Sequence, residues 1–116
     1  MIYNNCIDAC FNSVKALDHF AFEGFKPSKE RVPGHEWAVA CAEVCNLVGR
    51  QTARGLCCSD LYELCARQCD ECVEKCDKIN HEHAKRCAEA AKKCAEACRQ
   101  CQADCEKCEK DKKTCC

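Results

Sequence analysis

A chain of 116 residues with a net charge of −1 and 18 cysteines has room for one domain around one modest core. The balanced charge gives no global attraction to nucleic acid or to an anionic membrane, and no apolar run approaches the roughly 20 residues that a membrane span needs. The opening stretch, MIYNNCIDACFNSVKALDHF, carries Asp8, Lys15 and Asp18 and lacks the unbroken apolar segment of a signal peptide, so a cytoplasmic, reducing setting is expected. There the cysteines are thiols or metal thiolates rather than bridges.

Four helices are expected. The first runs from about Tyr3 to Gly24, with an inward stripe of Cys6, Cys10, Ser13, Leu17 and Phe20. The linker FKPSKERVPG follows, broken by Pro27, Pro33 and Gly34. The second helix starts near His35 and ends near Gly55, which suits a C-cap. Its stripe is Ala38, Cys41, Cys45, Val48 and Thr52. Asp60 with Glu63 three residues on predicts the start of the third helix, which carries Cys65, Cys69, Cys72 and Cys76. Asn80 is a fitting N-cap for the fourth. There the stripe reads Cys87, Ala91, Cys94, Cys98, Cys101, Cys105 and Cys108. Alternating steps of three and four are the seam of a helix bundle, and short connections favour antiparallel neighbours. The expected fold is all-α: an antiparallel four-helix bundle with a cysteine-lined core, a single domain over residues 1–116. From Cys65 onward the large apolar residues are Val73 and Ile79 alone, against twelve cysteines. Sulfur must therefore occupy the core positions of that half.

The spacing restricts the chemistry. Residues four apart on a helix have Cβ atoms roughly 5–6 Å apart, whereas a disulfide wants about 3.5–4.5 Å. The pairs Cys6/Cys10, Cys41/Cys45, Cys65/Cys69, Cys72/Cys76, Cys94/Cys98 and Cys101/Cys105 are thus poorly placed to bridge and well placed to share a metal ion. Zinc wants separate quartets, while these thiols form continuous rows. The ferredoxin run ending in Cys-Pro is absent, as no proline follows Pro33. Cu(I) is soft and accepts few ligands. Bridged one to one by thiolates, it leaves a dry core nearly neutral, whereas zinc at four thiolates leaves −2 at every site. Multiple Cu(I) ions per chain are expected, and sequestration of zinc or another soft metal by the same thiols is the alternative. A thiol redox protein or sensor would need one distinguished thiol, usually CxxC at a helix N-terminus. Here Cys69–Cys72 and Cys98–Cys101 fall mid-helix. A few core cysteines would be ordinary small hydrophobes; fourteen in phase read as a ligand row. His19 reads as a surface residue. His83 lies one turn before Cys87, so His81 and His83 are either ligands or polar residues at a helix start. Cys57, Cys115 and Cys116 receive no assignment.

The chain resembles the bacterial four-helix-bundle copper storage proteins, in particular the cytosolic type. The resemblance rests on C-x₃-C-x₂-C-x₃-C at Cys65–Cys76, its repeat at Cys94–Cys105, the link INHEH between them, and the pairs Cys6/Cys10 and Cys41/Cys45. It implies a Cu(I) store without catalytic turnover, a homotetramer of bundles, and a loading mouth lined by histidines. The ligands then expected are Cys6, Cys10, Cys41, Cys45, Cys58, Cys65, Cys69, Cys72, Cys76, His81, His83, Cys87, Cys94, Cys98, Cys101, Cys105 and Cys108. Ser13, Leu17, Phe20, Tyr62 and Ala91 interrupt the cysteine rows and are expected to lower capacity or divide the cluster. An apolar set outside the cysteine stripe (Phe11, Phe22 and Phe25 on the first helix; Trp37, Ala40, Val44 and Leu47 on the second) predicts a homo-oligomer built through those two helices.

Overall fold

The computed structural model describes residues 2–23, 35–56, 58–79 and 82–110, and the side chains of 4–22, 36–56, 58–79 and 82–107. The linker, Phe25, Asn80, His81, Cys57, Cys115 and Cys116, and the side chains of His35 and Cys108, lie outside the described residues.

Four helices form: α1 (Ile2–Asp18), α2 (His35–Ala53), α3 (Ser59–Asp77) and α4 (Glu82–Lys110), with a π-helical turn, His19–Glu23, extending α1. Each helix packs against its two neighbours, α1 on α2 and α4, and α3 on α2 and α4. Contacts run in opposite senses along every neighbouring pair. On α1 and α2, Ser13 meets Cys45 while Phe20 meets Trp37. On α2 and α3, Cys45 meets Cys69 while Thr52 meets Tyr62. On α3 and α4, Cys72 meets Cys87 while Ser59 meets Glu106. The bundle is therefore antiparallel throughout, as expected.

The inward stripes are placed as the periodicity predicts. Cys6, Cys10, Ser13 and Leu17 are fully buried on α1, with Phe20 close behind. Cys41, Cys45 and Val48 face them from α2, and every described stripe residue of α3 and α4 is buried. Helix ends differ more from expectation. At the end of α2, Gly55 takes φ 78° and the Leu56 N–H donates to the Gln51 carbonyl at 3.0 Å. This is the Schellman arrangement, which needs a left-handed residue at that point. The Asp60–Glu63 capping pair is not used. The helix starts a turn position earlier, with Cys58 as N-cap and no side-chain cap. Asp60 already lies in the first turn, where its charge suits the helix dipole. The end of α1 is also altered: the π turn admits one extra residue into the winding, so that Phe20 and Ala21 are both buried.

Tyr62 stands on the α3 row one turn before Cys65 and is buried. Its hydroxyl is 2.7 Å from Thr52 Oγ1, and Thr52 in turn donates to the Val48 carbonyl at 2.8 Å. Because the Thr52 hydrogen is committed to Val48, the tyrosine is the donor of the pair. Tyr62→Phe is expected to lower unfolding free energy by about 1 kcal/mol, the net worth of one buried hydrogen bond, read as a fall in the urea midpoint with unchanged slope.

Candidate metal centre

The four helices bring their cysteines into one column of sulfur. In its middle, Cys45 Sγ lies 3.6 Å from Cys69, 3.9 Å from Cys65 and 3.9 Å from Cys94. Cys65 and Cys94 are 3.8 Å apart. Towards the far end, Cys10 lies 3.7 Å from Cys94 and 3.9 Å from Cys98, and Cys6 hydrogen-bonds with Cys10, Cys101 and Cys98. Towards the other end, Cys41 is 4.0 Å from Cys69. Beyond it, Cys72 is 3.9 Å from Cys76 and 3.8 Å from Cys87. Among the described residues, three groups have all their sulfurs mutually within 4.8 Å: Cys10/Cys65/Cys94/Cys98, Cys45/Cys65/Cys69/Cys94 and Cys72/Cys76/Cys87. The first two share Cys65 and Cys94; the third has no member in common with them. Ala91 occupies the α4 row between Cys87 and Cys94, at the break between the groups. Ser13 lines the column too, its Oγ 3.5 Å from Cys45 Sγ.

Protons are shared along the column. Cys45 is pushed far below the usual thiol range by hydrogen bonds from Cys41, Cys65, Cys69 and Cys94, against the cost of burial. Cys6 is lowered in the same way by Cys10, Cys101 and Cys98. Cys76 is lowered to about 4 by hydrogen bonds from Cys72 and Cys87. Their donors move the other way. Cys69 is raised by its bonds to Cys41 and Cys45, Cys72 by those to Cys41 and Cys76, and Cys98 by those to Cys10 and Cys6.

Of the residues expected from sequence, Cys6, Cys10, Cys41, Cys45, Cys65, Cys69, Cys72, Cys76, Cys87, Cys94, Cys98 and Cys101 are buried free thiols. Cys58 is an exposed thiol at the N-cap of α3 and joins none of the three groups. Cys105 is buried but disulfide-bonded, so in this state it offers no thiolate. His83 packs against His19, ring centroids 4.5 Å apart and nearly edge to face. His19 is exposed, as expected, while it makes this contact. The π turn that brings it to His83 has no signature in the residue pattern.

A bundle whose seam is a column of thiols defines a metal-storage protein rather than a helix bundle with a hydrocarbon core. The chain belongs to the copper storage protein family, which it matches over residues 2–115. Its function is the storage of copper by thiolates lining the bundle core. It is similar to the solved structure of the Cu(I)-bound copper storage protein BsCsp3, with a TM-score of 0.79 and 28% sequence identity over 88% of this chain and 99% of that one. No curated protein matches it.

Loading must expel the protons held by the raised thiols, since only the thiolate is a ligand. Apparent metal affinity should therefore strengthen as pH rises from 6 to 9, by up to about tenfold per unit for each proton displaced. Competition against a chelator of known pH dependence, at fixed ionic strength, measures this; a flat profile would mean that the column is already ionised.

Proposed function

We propose that the chain is a cytosolic store and buffer of Cu(I), without catalytic turnover, that holds many ions as thiolate-bridged clusters along its core. The observation that carries this reading is the column itself, in which successive sulfurs lie 3.6–4.0 Å apart. That spacing suits ions shared between neighbouring thiolates, and each shared monovalent ion cancels one thiolate charge in a dry interior. The ligands are the buried cysteines already described. Cys105 would join them when reduced, and Cys108 extends the α4 row, with His81 and His83 as ligands at the mouth.

Capacity is the direct test. Bridging by the seam thiols predicts roughly ten to sixteen Cu(I) per chain in an anaerobic titration against a chromophoric Cu(I) chelator. Saturation at one or two ions would be the behaviour of a chaperone.

The mouth lies where the end of α1 meets the start of α4. His19 meets His83 there and Phe20 stacks on Trp37, and Cys76 and Cys87 are the row cysteines nearest in sequence to that end of α3 and α4. Neutral imidazole can receive Cu(I) and pass it on. Replacing both His81 and His83 by alanine is expected to slow Cu(I) transfer to and from a chelator several-fold while lowering capacity by at most a few ions. Unchanged rates in both directions would leave these histidines as helix-start residues.

Assembly is read from the outer face of α1 and α2. Phe22 is 54% exposed and Leu47 41%, with Val44 half-buried and Ala40 exposed between them. Trp37 contributes less than its size suggests, because Phe20 stacks on it at 5.6 Å and the Lys75 ammonium sits 5.7 Å over its ring. We expect a homo-oligomer, a tetramer by family resemblance, through this face. Light scattering at micromolar concentration should give a multiple of the 13.0 kDa chain mass; a monomer would refute it.

A further inference from the structure

The two four-sulfur groups have a relationship that copper storage does not call for. Cys45/Cys65/Cys69/Cys94 and Cys10/Cys65/Cys94/Cys98 are two quartets with two members in common. The shared pair, Cys65 and Cys94, is one edge, 3.8 Å long. The other measured edges are 3.6, 3.9 and 3.9 Å in the first quartet and 3.7 and 3.9 Å in the second. In a regular tetrahedron with edges of about 3.8 Å, the centre lies about 2.3 Å from every corner, which is the Zn–S bond length. With its remaining edges within 4.8 Å, each quartet matches a tetrahedral tetrathiolate site or is slightly larger, and closes on the ion by a small contraction. Together they are two tetrahedra joined along an edge.

We propose that the copper-free protein binds two divalent tetrahedral ions of the zinc class in a binuclear site. Cys65 and Cys94 bridge both ions; Cys45 and Cys69 complete one, and Cys10 and Cys98 complete the other. Six cysteine sulfurs, bound as thiolates, and two M²⁺ ions give an M₂S₆ unit of charge −2, and whatever protons the six still hold pass to solvent. Sharing two thiolates halves the residual charge per ion relative to two separate tetrathiolate sites. That matters in a core where all six sulfurs are buried and uncompensated charge is costly. The same charge limit caps divalent uptake at the six-sulfur unit. The group Cys72/Cys76/Cys87 offers three sulfurs and cannot close a fourth corner from its own members. The column therefore has two capacities: many monovalent ions, or two divalent ones that Cu(I) displaces.

The test is anaerobic titration of the reduced, metal-free full chain with Co²⁺, which takes the zinc geometry and is visible by absorption and magnetic resonance. The expected result is saturation at two Co²⁺ per chain with the visible bands and thiolate charge-transfer of tetrahedral tetrathiolate cobalt. Addition of the second ion should diminish the paramagnetic signal, because bridging sulfurs couple the two spins. Cys69→Ser should then retain one tightly held ion and abolish the coupling, with far-UV circular dichroism confirming the helices. Cys65→Ser should weaken both sites. Saturation of the parent protein at one ion, two ions with additive paramagnetism, or six-coordinate spectra would each overturn the proposal. So would two coupled ions persisting in Cys69→Ser. A parallel Cu(I) titration keeps the two readings separable: uptake of many Cu(I) ions beside any of those cobalt results removes the binuclear site and leaves copper storage standing.

Discussion

A cysteine seam position holds one sulfur where leucine would hold a branched hydrocarbon, and everything else in this bundle follows from how closely helices must come for such short side chains to touch. Sulfurs from facing helices meet at 3.6–4.0 Å, at van der Waals contact or inside it. Small residues beside them make that approach feasible: Ala38, Ala42, Ala66, Ala84, Ala91 and Ala95 are all buried. Dispersion between polarizable sulfurs gives some cohesion, but the same atoms are acids and soft ligands. Packing, proton sharing and metal capacity are therefore one property of the column.

The two ends of the column are built differently from its middle. At one end Leu17 and Phe20 close in from α1, with Phe20 stacked on Trp37. At the other, Val48, Thr52 and Tyr62 form a hydrogen-bonded layer across α2 and α3. These ends and the α1–α2 pair hold most of the ordinary apolar core. The α3–α4 pair relies on sulfur inside and on charge outside. Arg99 forks onto both carboxylate oxygens of Asp70 across the two helices, and Glu82–Arg86 and Glu89–Lys93 pair along α4. These exposed pairs contribute little each. Stability of that half is thus coupled to what the thiols bind, since any ion held by the folded state alone adds to its free energy.

The bundle, its antiparallel order and its inward stripes were legible in the sequence because the three-four spacing of cysteine is unusually regular and leaves no other residues to form a core. Gly55 was legible as a cap because so few residues tolerate positive φ. The features that escaped are those without a period. The π turn depends on how α1 settles against α2 and α4, and it brings His19, exposed as expected, edge to face with His83. Cys58 keeps the phase of the α3 row, four residues before Tyr62, but it is the extended N-cap residue of the helix and is exposed. The expectation of unbridged cysteines fails at Cys105, because a bridge depends on which sulfurs meet in three dimensions, and helical spacing carries no such information. The division of the column into two linked quartets and a separate trio was also beyond the sequence. Ala91 marks the break, but its effect is set by three-dimensional neighbours.

Trp37 is the single tryptophan of the chain, and it sits one helical turn before Cys41, close to the sulfur column. Its ring is held between Phe20 and the Lys75 ammonium, so it samples one environment rather than many. Indole emission is quenched by nearby heavy atoms and by charge-transfer states. The protein therefore carries an internal optical gauge, whose brightness follows the filling of the sulfurs nearest the mouth without any attached dye.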